Sequence, residues 1–257
     1  MKKIISTFII VSYLVVFTPS ETLASLDFNG ATGDKVRIPG GAVTELDNMT
    51  VGTIIQWIRP NTTAPSANRK LYEKGNGSAG FLFLRMNATG NLDVSMDYTD
   101  TDPISSTASF FKTDTWQFLA VTFNATSDQP RIYTGTTTAL ATEVTYSGTP
   151  TAGSGSRVSD AIHSLSIGAR DDIDTQSFPG KIAFTAVWNR VLTLGEIRQQ
   201  QFSPHVTSGC ILFMNIGFGS SSGLGTQPDY SGKRNNGTVV GTPKMSPHVP
   251  LRNPFGF

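Results

Sequence analysis

The sequence predicts an all-β fold with one short capped helix near residues 193–202. Three observations predict it. The 257 residues include 25 Gly and 14 Pro, with abundant Thr and Ser, a composition suited to many short strands and turns. Short runs alternate apolar with polar residues; Leu92, Val94, Met96 and Tyr98 interleave with Asp93, Ser95 and Asp97. One segment carries a clear helix-start signal, Thr193 followed three residues later by Glu196. That is the capping-box spacing, in which each side chain satisfies a free backbone N–H of the other.

The elements follow in order. Leu26 to Gly30 reads as a short strand and turn, and Lys35 to Ile38 as a second strand closed by Pro39-Gly40-Gly41. Met49 to Arg59 is a long strand around Ile54, Ile55, Trp57 and Ile58, ended by Pro60, and 61–68 is a polar loop. Leu71 to Gly75 and Gly80 to Met86 are strands beside glycine turns, and the alternating run 92–98 is a half-buried strand. Asp100 to Thr115 reads as a loop containing Phe110 and Phe111. Trp116 to Asn124 and Arg131 to Tyr133 are strands, the Gly- and Ser-rich 149–159 is a surface loop, and Leu165 to Gly168 is a strand.

The stretch from Phe178 to Phe202 organises the chain. After the Pro179-Gly180 turn, Ile182, Phe184, Ala186 and Trp188 point to one face of a strand. Lys181, Ala183, Thr185 and Val187 point to the other, which predicts one face on a core and one nearer water. Leu194 and Ile197 give the helix that follows an apolar edge. Cys210 to Phe218 is a further strand.

Length does not demand two domains. The balance of 20 basic against 19 acidic residues gives no basic surface for nucleic acid. Lys2 and Lys3, a mostly apolar run over 4–17, and the small residues before Ser25 read as a signal peptide over residues 1–24. The run falls short of the roughly 20 residues a spanning helix needs. The expected product is residues 25–257 as one domain without a membrane span, secreted to an extracellular or periplasmic space. The lone Cys210 cannot form an internal disulfide and reads as a buried apolar residue.

The ordered set of motifs resembles the LamG-like jelly-roll family of laminin G, pentraxin and concanavalin A-like lectin and glucanase domains. The resemblance runs over about residues 25–202. Leu26-Asp27-Phe28-Asn29-Gly30 and Val36-Arg37-Ile38-Pro39 resemble the family's opening, and 54–60 its W-I-R-P strand. Trp116 to Asn124 resembles its W-H-H-V-A-V-T strand, with Gln117 and Phe118 at the two His positions. Leu165-Ser166-Ile167-Gly168 resembles its L-x-I-G strand. Phe178, Gly180, Ile182, Val187, Trp188, Asn189, Arg190, Leu192, Thr193, Glu196 and Ile197 match the closing signature, whose acidic pair is replaced by Ala183 and Phe184. The resemblance implies a two-sheet antiparallel jelly roll. Asp229 to Thr238 looks like a family element that in many relatives precedes the L-x-F-x-G strand and here comes last, so the tail 203–257 has two readings. It completes the same sandwich, the reading adopted here, or it begins a truncated second copy.

Candidate site residues fall into three groups. For catalysis, His163, His205 and His248 stand outside any nucleophile elbow or H-E-x-x-H motif. Glycoside hydrolysis needs two carboxylates at a set separation. The nearest approach is Asp93 and Asp97 on one strand face, which read as solvated charges. For metal, Asp171, Asp172 and Asp174 sit close enough together to suit calcium. The pentraxin resemblance implies that this loop supplies calcium ligands with Asn76 from an earlier loop; Arg170 stands where pentraxins carry Glu. For sugar, Tyr98, Phe110 and Phe111 are the aromatic residues expected to offer a stacking platform, with Phe110 and Phe111 alternatively folded back as a plug. Trp57, Trp116 and Trp188 match core positions.

The resulting expectation is a secreted, non-catalytic recognition or adhesion module that binds carbohydrate with calcium assistance, its partner a glycan or cell-surface protein. The alternatives are a glucanase-type glycoside hydrolase and a structural or virion-type surface protein.

Overall fold

The computed structural model describes residues 24–30, 33–41, 44–77, 79–124, 129–173, 175–217 and 225–249. The leader read at residues 1–24 lies outside them apart from Ala24. In chain order the strands are β1 (Ala24–Asn29), β2 (Lys35–Ile38), β3 (Val51–Pro60), β4 (Arg69–Lys74), β5 (Leu82–Met86), β6 (Leu92–Met96), β7 (Ile104–Ser106) and β8 (Gln117–Asn124). There follow β9 (Arg131–Gly135), β10 (Thr142–Glu143), β11 (Leu165–Ile167), β12 (Pro179–Trp188), β13 (Cys210–Asn215), β14 (Thr226–Gln227), β15 (Gly237–Val240) and β16 (Lys244–Pro247). Helix α1 (Leu194–Phe202) lies between β12 and β13.

The strands form two antiparallel sheets. The first has the order β10-β9-β8-β3-β12-β1-β16, with β13 also paired to β12; the second has the order β14-β15-β2-β11-β4-β5-β6-β7. The fold is therefore an all-β sandwich, consistent with a jelly roll. Strands of the tail enter both sheets: β13 pairs β12, β16 pairs β1, and β15 pairs β2.

Two cores hold the molecule, and the first sheet lies between them. One fills the space between the sheets and includes Leu26, Phe28, Ile54, Tyr72, Leu84, Val94, Val121 and Val187. The second lies between the first sheet and α1, and includes Trp57, Phe118, Phe184, Trp188 and Ile197. Trp57 and Phe118 meet edge-on at 5.5 Å between ring centres, a contact worth about 0.5–1.5 kcal/mol beyond its buried area. Trp57 Nε1 donates to the Gln201 carbonyl at 3.1 Å, so the polar end of the indole is satisfied inside the core.

Strand β12 departs from simple alternation. Its pairing with β3 shifts register between Ile182 and Phe184, where Ile182 faces Ile58 but Phe184 faces Trp57. This irregularity puts Ala183 and Phe184 in the same core, on the helix side, while Ile182 stays between the sheets. The expected water-facing side is accordingly corrected: Ala183, Thr185 and Val187 are all fully buried, because both faces of β12 are covered. Its neighbours' long apolar runs, such as Ile54-Ile55, have the same cause.

Helix α1 starts as its cap prescribes. Thr193 accepts from the Glu196 N–H at 3.3 Å and Glu196 accepts from the Thr193 N–H at 2.8 Å. Ile197 is buried, whereas Leu194 is exposed. The segment 100–115, expected as one loop, contains the short β7, which pairs with β6. Asp93 is also corrected. It is buried rather than solvated, with Arg85 at 2.9 Å, Asn87 at 3.2 Å and Ser106 at 2.6 Å around its carboxylate.

Candidate functional site

A groove of about 440 Å³ opens where the edges of the two sheets approach each other. That volume lies in the ~300–1,000 Å³ range of small-molecule sites. One wall is the chain after β7, from Thr107 to Phe110, with Lys112. The other comprises β9, β10 and the turn between them, including Thr134, Thr136, Ala139, Leu140, Thr142, Glu143 and Val144. Hydroxyl-bearing and apolar side chains thus line the groove together.

Two buried amides hold these walls in place. Gln117, at the start of β8, accepts from the Lys112 N–H at 2.7 Å and donates to the Phe110 carbonyl at 2.9 Å. Gln201, on α1, donates to the carbonyls of Thr136 and Ala139, both at 2.7 Å, and accepts from the Ala141 N–H at 2.8 Å. The β9–β10 turn is therefore tied to the capped helix. Gly135 permits this, because a β-carbon there would collide with the Gln201 amide.

The two charged groups lining the groove differ in their freedom. Glu143 is engaged: Tyr146 donates its hydroxyl to Oε1 at 2.8 Å, and Arg131 lies 3.8 Å from Oε2. Burial raises the Tyr146 phenol, so it remains a donor. Lys112 is exposed, and its ammonium meets no carboxylate among the described residues.

The sequence candidates divide around this groove. Phe110 lines it, although its ring is only 6% exposed; Phe111 is 3% exposed and Tyr98 6% exposed, and both belong to the core between the sheets. Phe110 and Phe111 meet edge-on at 5.0 Å, and Phe111 also faces Phe178 at 6.4 Å. These rings plug the sandwich, and none presents an open stacking face. Sequence reasoning passed over Lys112, Gln117 and the 134–145 turn. The available signal was the polar replacement of a family His by Gln117.

The acidic loop lies elsewhere, over the outer face of the second sheet. Asp171 Oδ1 accepts from Arg37 Nε at 2.7 Å, and Lys35 Nζ donates to the Asp171 carbonyl at 2.7 Å. Burial pulls the Asp171 carboxyl up, but Arg37, Ser164 and Lys35 together hold the group below its ordinary value. Arg170 grips both Asp172 oxygens, at 2.5 and 2.8 Å, and donates to the Asn76 carbonyl at 2.5 Å. The Asn76 side-chain oxygen accepts from the Ala79 N–H at 3.0 Å. Asp174 lies outside the described residues. Asp171 and Asp172 thus face guanidinium groups, and a cation would have to displace Arg37 or Arg170 to reach them. The described residues do not fit a preformed calcium site.

Residues 29–198 match the sequence profile of the concanavalin A-like lectin/glucanases superfamily. No curated protein matches the chain. Among solved structures, the chain is similar to a Bacteroides ovatus protein assigned to carbohydrate binding, with 16% identity and a TM-score of 0.59 over 88% of this chain. This chain spans 60% of that protein. It also resembles a heptameric SAP-like pentraxin from Limulus polyphemus (12% identity, TM-score 0.45, 69% of this chain and 81% of that one). A third is the CBM40 of the Ruminococcus gnavus IT-sialidase (14% identity, TM-score 0.46, 68% of this chain and 96% of that one). At these identities the likeness is one of fold.

Proposed function

The chain belongs to the concanavalin A-like lectin/glucanases superfamily, and from that premise we propose that it is an exported, non-catalytic module that binds carbohydrate in the groove between Lys112 and Glu143. One observation carries the choice between binding and hydrolysis. Glycoside hydrolysis uses two carboxylates about 5–9.5 Å apart. Among the described residues lining the groove, Glu143 is the single carboxylate, and it is tied up by Tyr146 and Arg131. Hydroxyls, amide-braced loops and apolar patches suit recognition without chemistry. The fold shared with the Bacteroides ovatus protein is compatible with this reading, though one sandwich hosts many activities.

Export rests on the charged, apolar and small-residue leader over 1–24. Among the described residues, no helix is long and apolar enough to cross a membrane. Calcium has no part in this reading, since the described acidic-loop carboxylates are paired with arginines.

The test is a screen of oligosaccharides by calorimetry against the full chain and a Thr142→Trp variant that fills the groove. A glycan that binds the parent and loses about tenfold or more in affinity in the variant, roughly 1.4 kcal/mol, supports the reading. Binding that ignores the variant, or release of reducing ends from a bound glycan, sinks it.

A further inference from the structure

We propose that the groove selects glycans carrying an anionic group, a carboxylate or a sulfate, through Lys112; this rests on the carbohydrate-binding reading. The groove's two charges do not cancel. Glu143 already receives the Tyr146 hydroxyl at 2.8 Å and lies 3.8 Å from Arg131, so its charge is met from its own side of the groove. Among the described residues, Lys112 has no corresponding carboxylate partner. Its backbone N–H is held by the Gln117 side chain at 2.7 Å, while the residue itself is exposed.

A fixed main chain beneath a free ammonium is a suitable receptor for a single anion. The lysine stem can reach over the groove without the loop having to reorganise. An exposed lysine elsewhere on the surface would be merely solvated. Lys112 differs because it lines a groove of about 440 Å³ whose lining also includes the hydroxyl-bearing Thr134 and Thr142. A sugar seated against those hydroxyls would direct an acidic substituent toward the ammonium. Charge-assisted hydrogen bonds of this kind are roughly twice as strong as neutral ones, and salt screens them when they are exposed.

The experiment uses galacturonate oligosaccharides of two to four residues, their methyl esters, and sulfated and unsulfated galactan oligosaccharides. The esters retain the sugar's shape and lose its charge. Calorimetry is run on the full chain, on Lys112→Gln and on Lys112→Arg, at low and high salt. At least one anionic probe should bind about tenfold tighter than its neutral counterpart at low salt, the size expected for one charge-assisted hydrogen bond. The preference should disappear in Lys112→Gln, persist in Lys112→Arg and shrink as salt is added. Equal binding of charged and neutral forms, or a preference that survives Lys112→Gln, overturns the inference while leaving carbohydrate binding intact. Failure of every probe, charged and neutral, overturns this inference, and failure of the wider screen as well overturns the carbohydrate reading itself.

Discussion

Gln117 accepts the Lys112 N–H at 2.7 Å and returns a hydrogen bond to the Phe110 carbonyl at 2.9 Å. One buried amide therefore sets the bend of the wall that carries Lys112. The same residue stands where the resembling family has a histidine, so the position still presents a polar group to the preceding loop.

Replacing Gln117 with Leu should uncouple that wall. The substitution preserves approximate volume but leaves an N–H and a carbonyl without their partner. The expected loss is about 1–3 kcal/mol, read from the denaturant midpoint. Any ligand held by Lys112 should weaken as well. An unchanged midpoint would show that water replaces the amide at no cost.

Gly135→Ala should displace Gln201, whose amide occupies the space a β-carbon needs. The hydrogen bonds to Thr136, Ala139 and Ala141 are then strained together. Slower-exchanging amides at Thr136 to Ala141 in the parent should become fast in the variant, as measured by hydrogen exchange. Retained protection would mean that the turn holds its shape without the helix.

Glu196 should make a small, acid-sensitive contribution to stability. Arg190 first, and then the Thr193 backbone N–H, bring its carboxyl from 4.5 down to about 2. A group whose folded value is depressed stabilises the fold above its unfolded value. That contribution is lost as pH falls from about 4.5 to about 2. The group is partly exposed, so salt should reduce the effect. Melting curves between those pH values should fall less steeply for Glu196→Gln than for the parent. Parallel slopes would remove Glu196 from the account.

Arg170 should make the acidic loop indifferent to calcium. Melting temperatures measured with millimolar calcium and with chelator are expected to coincide, because Asp171 and Asp172 already have cationic partners. A clear rise with calcium would mean that the ion displaces a guanidinium and stabilises the folded state by mass action. Arg170→Gln should lower stability by about 1 kcal/mol, the upper range for a partly exposed ion pair.

Much of the fold was legible because its signals are local. The Thr193–Glu196 box fixed the helix start, since both partners lie within one turn. Alternation over 92–98 marked a strand, which the structure holds to Leu92–Met96 and buries on both faces. The pattern failed at Ala183, where a register shift turns adjacent residues to the same core. It also misjudged Asp93, whose polarity suggested solvent but whose charge is neutralised by Arg85. The plug reading of Phe110 and Phe111 holds and their stacking-platform reading does not, since both rings and Tyr98 are buried in the core between the sheets; a loop's sequence left both orientations open.

The sequence by itself determined the all-β class, the family, the capped helix and the assignment of Trp57 and Trp188 to core positions. Each of these depends on short-range periodicity, caps or an ordered set of motifs. The tertiary structure decided where β13, β15 and β16 pair, and that β12 is buried on both faces. It also joined Arg170 to the Asn76 carbonyl, and gathered Lys112, Thr134 and Thr142 around one groove. These relationships join residues far apart in the chain. They exist only after two sheets have packed, because burial and strand pairing, rather than local preference, choose which distant side chains meet.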